Sequence, residues 1–226
     1  MIAFLLDNIF FLGYLCAGGV AAIVLVFAFL APFESLLWWK NLKIEPAKFV
    51  KRLKKFEKDA STNSAQAQLF IVYLSGVGVI SGDGLELDEA HFLAQLAHHL
   101  PKAAIVSDVF PYSPNGKSLS ADRFFSRLWK YLEKNRLTNH KNVLDLLVML
   151  RNAMQVAVAS DDRYAPIYNL GTTSLILEGL LKKGYDLKNQ KPICFIGYSG
   201  GAQIALGATT YLHEIIHAPM DAIALL

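Results

Sequence analysis

Cysteine is nearly missing from this sequence: Cys16 and Cys194 are the only two in 226 residues. No disulfide framework follows, and no paired cysteines are spaced for a metal; a reducing compartment is compatible with this usage. A large excess of charge of one sign is also missing. The formal net charge is +3, too small to imply a nucleic-acid partner, and the domain lacks a basic stretch interleaved with aromatics. There is no P-loop lysine motif, no internal repeat and no low-complexity tract.

Charge is also absent locally. Hydrophobic residues make up 54% of the chain, above the usual range of about 45–50%, and the excess sits at the N-terminus. Ile9 to Leu30 (IFFLGYLCAGGVAAIVLVFAFL) carries no charged residue. A helix of that length spans about 30 Å, the thickness of a bilayer's hydrocarbon core. A secretory signal would put positive charge ahead of a shorter apolar core, whereas Asp7 is the only charge before this one. A permanent single-pass anchor is therefore expected. Trp38 and Trp39 fall where an interfacial aromatic belt would lie. Lys40, Lys43, Lys48, Lys51, Arg52, Lys54, Lys55 and Lys58 follow, so the positive-inside rule places this flank and the domain behind it on the cytoplasmic side. Phe49, Leu53 and Phe56 recur at helical spacing among these bases. That pattern predicts an amphipathic segment over 41–60 resting on anionic membrane lipid. Gly18, Gly19 and nearby alanines would allow packing against a membrane-protein partner, though no G-x-x-x-G spacing is present.

After the small, polar stretch Ala60 to Gln68, residues 61–226 read as one α/β domain. Leu69 to Leu74 (LFIVYL) is a near-continuous apolar run, as expected of a parallel strand covered on both faces. The loop Ser75 to Gly84 holds Gly76, Gly78, Gly82 and Gly84. A helix is predicted over about Asp88 to Leu100 and a second strand over Ala103 to Phe110. Helical patterns follow over Arg123 to Lys134, Asn142 to Ser160 and Ile167 to Lys183, the last ended by Gly184. The helix over 142–160 has only a narrow polar stripe at Asp145, Asn152 and Gln155, so it is buried or covers something apolar. A third strand (ICFI, 193–196), a helix over Gly200 to His217 and a fourth strand from Met220 complete the pattern. Strands alternating with helices specify a parallel sheet with flanking helices.

The run ICFIGYSGGAQIALGA joins strand to helix through Gly197-Tyr198-Ser199-Gly200-Gly201, a G-x-S-x-G sequence. Such a turn is tight enough to need small residues beside the serine. It lifts the hydroxyl above the sheet edge and directs the next backbone N–H toward an oxyanion. In this respect the chain resembles the α/β-hydrolase superfamily, in particular its lipases and esterases, over about Gln66 to Leu226. The resemblance implies Ser199 as nucleophile and Gly197 and Gly201 as the elbow glycines. In the family an earlier strand ends in a loop that often begins His-Gly and gives a second oxyanion N–H. Leu74-Ser75-Gly76-Val77-Gly78 occupies that place here, with Ser75 for the histidine, so Val77 and Gly200 are the implied oxyanion donors. The insertion over about 121–162 falls where a cap would lie. The implied substrate is a small-molecule ester, a thioester or a lipid. No cofactor or metal is implied.

The family's acid and histidine follow the serine after later strands, and no counterpart lies between Ser199 and Leu226; Asp221 opens the last strand. Three expectations remain open. The sequence continues beyond Leu226, the partners come from elsewhere in the chain, or the domain is a non-catalytic subunit of a membrane complex. Two further motifs compete. His213-Glu214-Ile215-Ile216-His217 matches the zinc-binding H-E-x-x-H helix, but Pro219 closes it and few residues remain for a third ligand. Gly76-Val77-Gly78 with Ser81 is similar to a dinucleotide-binding turn, with Asp108 farther along than a ribose-binding acid would be. His91, His98 and His99 share one predicted helix and fit solvated positions; His140 lies in a polar turn.

Overall fold

The computed structural model describes residues 67–119 and 143–226, together with residues 10–19, 21–23, 26 and 130. Residues 10–19, 21–23 and 26 are helical. The rest of the apolar run 9–30, the basic segment 41–60 and the predicted helix Arg123 to Lys134 (apart from residue 130) lie outside the described residues. Among the described residues no helix is long and apolar enough to cross a membrane.

The described residues form a four-stranded parallel sheet with helices on both faces. In chain order the elements are β1 (Leu69–Leu74), α1 (Leu87–His99), β2 (Ala103–Val106), α2 (Val143–Ser160), α3 (Ala165–Lys182), β3 (Ile193–Tyr198), α4 (Gly200–Ile215) and β4 (Met220–Leu225). The strand order is β2-β1-β3-β4. Continuous apolar runs therefore occupy the two central strands, where neither face meets water. Alternate residues of β1 serve the two faces. Phe70, Val72 and Leu74 join Phe195 in a large core beneath α2, α3 and α4, while Ile71 and Tyr73 join Ile196 and Leu93 in a smaller one beneath α1. The outer strand β4 pairs only with β3 and is largely exposed.

Small residues set the distance between layers. Gly179 lies in the middle of α3, where a Cβ would stand 2.5 Å from Val106 Cγ1. A glycine inside a helix costs about 1 kcal/mol against alanine, and here it lets α3 rest on β2. Helix α3 starts with proline in its first turn and ends in Gly184 at φ +78°, the left-handed position that favours glycine.

The predicted second strand is longer than the observed one, which stops at Val106 rather than Phe110. The reason is a crossing of chains. The carbonyl of Asp108 lies against Gly82, where a Cβ would come within 2.2 Å of its oxygen. The glycine loop after β1 thus occupies the space an extended β2 would need. Val109, Phe110 and Tyr112 instead turn into the large core as loop residues. The other described elements agree with the sequence-based ranges to within two residues at each end, and β3 extends to Tyr198.

Phe195 sits in a central strand with no exposed surface. Phe195→Ala is expected to cost about 3–5 kcal/mol through lost burial and the cavity left behind. Urea unfolding of the detergent-solubilised full chain should show a lower midpoint with an unchanged slope.

Candidate active site

Residue 199 follows β3 at the C-terminal edge of the sheet, where open α/β sheets carry their ligand sites. Its backbone is at φ 51°, ψ −121°, and it is one of two non-glycine residues with positive φ among the described residues. Holding a side chain in such a region costs on the order of 1–3 kcal/mol and requires surroundings that fix it. Two hydrogen bonds do so: Ser199 N–H donates to Leu225 O at 2.9 Å, and Ala202 N–H donates to Ser199 O at 3.0 Å. The side chain stands exposed.

The flanking glycines are required by contact with backbone. A Cβ on Gly197 would lie 2.3 Å from Ala202 Cα, and one on Gly201 would lie 2.3 Å from Leu74 O and 2.5 Å from Ser75 O. Helix α4 therefore begins directly against the end of β1, with Ser199 at the corner.

The loop after β1 borders the same corner. Val77 Cγ1 would lie 2.6 Å from a Cβ on Gly200, so Val77 and Gly200, the two expected oxyanion donors, are neighbours. The Gly200 N–H belongs to the first turn of α4 and has no intrahelical acceptor. Gly76 O accepts from Val79 N–H at 3.4 Å. Across a trans peptide the Val77 N–H then points the opposite way. The preceding amide is already used, since Gly76 N–H donates to Glu89 Oε1 at 2.8 Å.

Three groups hold this loop that the sequence reading did not single out for the site. Buried Glu89 also accepts from Glu86 N–H at 3.2 Å, tying the loop to the capped start of α1. Asn152 of α2 donates from Nδ2 to both Val77 O and Val79 O, each at 2.8 Å. Tyr112 donates its hydroxyl to Ser75 O at 2.7 Å. The signals were present but local: Glu86 and Glu89 form a capping box, and Asn152 belongs to the narrow polar stripe of an otherwise apolar helix.

Burial, and next the nearby Glu89 carboxylate, hold the Tyr73 hydroxyl well above the ordinary tyrosine range. Burial does the same for Tyr112. These phenols are neutral donors rather than acids at neutral pH.

The other candidates lie apart from this corner. Asp221 pairs with Cys194 near the start of β3, whereas Ser199 follows its end, about 16 Å away along the strand. His91, His98 and His99 are exposed on α1. Helix α4 ends at Ile215 and its cap residue Ile216 is extended. His217 is thus outside the helix, and the two rings of the H-E-x-x-H motif stand 6.3 Å apart, nearly perpendicular, rather than on one helical face. The dinucleotide reading of the glycine loop is met by an acidic helix start. Asp88 and Glu89 occupy the first turn of α1, where a phosphate would need free amides and positive potential. His140 lies outside the described residues. Among the described residues no hydrogen bond or ion pair joins Ser199 Oγ to a histidine or a carboxylate.

No protein-family description, no curated protein and no solved structure matches this chain.

Gly201→Ala is expected to destabilise the protein by about 2–3 kcal/mol, because the new methyl meets immovable carbonyls; a thermal melt compared with wild type would measure it. A second expectation concerns alkaline pH. An unfolded tyrosine titrates near 10, while burial pushes Tyr185 up to about 12 and raises Tyr73 and Tyr112 further. Above pH ~10 the folded state therefore holds more protons than the unfolded one, and stability falls as pH rises. The stabilisation is complete below pH ~10 and is lost progressively above it. Urea midpoints measured from neutral to strongly alkaline pH should be flat and then decline, and Tyr185→Phe should soften the decline.

Proposed function

We infer that the chain is a membrane-anchored serine hydrolase acting on an ester, thioester or lipid-like substrate, with its domain on the cytoplasmic side. The observation that carries this reading is the backbone of Ser199 at φ 51°, ψ −121°, enforced by Gly197 against the first turn of α4 and Gly201 against the end of β1. A strained non-glycine residue at the carboxyl edge of a parallel sheet has a structural cost without a packing return, which is how nucleophile-bearing turns are built. The adjacency of Val77 and Gly200 supports an oxyanion site beside it. The α/β-hydrolase resemblance belongs to this proposal, as does the anchor over 9–30.

In the reaction, Ser199 Oγ forms a bond to the substrate carbonyl carbon while its proton passes to a general base. The Val77 and Gly200 N–H groups receive the negative charge that develops on the carbonyl oxygen. Collapse breaks the bond to the leaving oxygen or sulfur, which takes the proton, and leaves an acyl-serine. Water then adds to that acyl carbon and releases the acid. No described residue is assigned as the base or its orienting carboxylate, since none of the described histidines or carboxylates is bonded to Ser199 Oγ.

A second reading has one observation in its favour: the absence of a bonded histidine at Ser199 among the described residues. Under it the domain is a non-catalytic, α/β-hydrolase-like subunit of a membrane complex.

A fluorophosphonate probe separates the two. The hydrolase reading expects covalent labelling of the full chain, abolished in Ser199→Ala, with far-ultraviolet circular dichroism unchanged. No labelling of the folded wild type, or equal labelling of the mutant, would overturn it.

A further inference from the structure

Helix α2 turns polar as well as apolar side chains inward and keeps an apolar stripe outside. Its buried side chains include Val148, Arg151, Asn152, Gln155 and Ala159, while its exposed positions are Leu146, Met149, Ala153 and Ala157, followed by Ser160 at the end. The exposed set recurs at intervals of three and four and so forms one stripe, and the inward set lies on the opposite side of the helix. Leu146 is 60% exposed and Met149 44%. A surface helix in water keeps its outward face polar. The orientation of α2 is fixed by specific bonds. Arg151 Nη1 donates to Tyr112 O at 2.7 Å and to Asn152 Oδ1 at 3.0 Å, and Asn152 reaches the glycine loop. Rotating α2 to bury its apolar side would break all of these. The outward stripe is thus a fixed consequence of how the helix holds the site, and water is a poor medium for it.

We propose that the outward face of α2 docks on the surface of an anionic phospholipid bilayer. This rests on the membrane-anchored hydrolase reading above. From Leu146 to Ala157 the stripe runs about 16 Å, too short to cross the roughly 30 Å of hydrocarbon. It suits a helix lying in the interface with its apolar side turned down. The sequence also supplies the occupant. An uncharged apolar run over 9–30 and eight bases between Lys40 and Lys58 precede the domain. About 40 residues separate residue 26 from residue 67, a reach of at most ~140 Å, so the domain would be tethered within that distance of the membrane that holds the anchor. At that effective concentration a modest apolar stripe is enough for docking. A protein partner would have to compete with lipid that is always present.

The geometry links this face to the chemistry. Val156 Cγ2 would lie 2.9 Å from a Cβ on Gly200, so α2 touches the elbow with one side and offers its apolar stripe on another.

The test uses the full chain with Cys16→Ser and Cys194→Ser, reconstituted into vesicles of phosphatidylcholine and phosphatidylglycerol. An environment-sensitive fluorophore is attached at Ala153→Cys or, as a control, at Asn189→Cys, which is exposed in the loop before β3. The expected result is quenching by nitroxide-bearing lipids several-fold stronger at 153 than at 189. Leu146→Glu with Met149→Glu should remove that difference while leaving fluorophosphonate labelling in detergent unchanged. Equal, weak quenching at both positions in chains that float with the vesicles would overturn the docking and leave the anchor standing; that outcome includes a face covered by residues 120–142 or by a protein. Failure of the chain to float would overturn the anchor and the docking together. Strong quenching at 153 without labelling of Ser199 would keep the docking and remove the hydrolase.

Discussion

The contact between the first turn of α4 and the end of β1 is the constraint on which the rest of the site depends. Two carbonyl oxygens, of Leu74 and Ser75, occupy the space that a side chain at position 201 would fill. Because the helix starts so close, the chain must reverse within a single residue after Tyr198, and Ser199 absorbs the reversal in a backbone region that L-residues rarely adopt. A looser junction would let the serine relax, and its hydroxyl would lose its fixed place. The same closeness brings the first amides of α4 beside the loop that follows β1, so the serine and the amide cluster have one structural cause.

Rigidity around that corner comes mainly from polar groups within an apolar frame. Glu89, Asn152 and Tyr112 arrive from three different elements, and each bonds to backbone of the segment 75–79. Buried hydrogen bonds of this kind contribute only about 1 kcal/mol each to net stability, but losing one partner strands a buried group at a higher cost. Their main effect is therefore geometric: the glycine loop, which has high intrinsic freedom, is held in one conformation.

This arrangement has a consequence at the surface. Helix α2 turns Arg151, Asn152 and Gln155 inward beside Val148 and Ala159, and its outward positions include Leu146 and Met149. In α2 the requirements of the site and of an aqueous surface conflict, and the site prevails. The proposed membrane docking draws on the outward stripe of α2, the apolar N-terminal run and the basic segment, which lie in separate parts of the chain.

The sequence by itself determined the alternation of strands and helices, the parallel sheet and the position of the tight strand-to-helix turn at Ser199, because these follow from local rules. Continuous apolar runs such as LFIVYL mark strands covered on both faces, periodicity marks helices, and small residues around Ser199 mark a tight turn. The tertiary structure alone decided where β2 ends, since Gly82 and Asp108 meet only when the two loops cross. It alone decided which face of α2 is inward, because periodicity shows a stripe without showing which side faces the core. It also recruited Glu89 and Asn152 to the loop and took His217 off the helix that the H-E-x-x-H pattern needs. Each of these depends on contacts between residues distant in sequence or on where a helix is stopped by its packing. A reading based on spacing along one chain carries no information about such contacts.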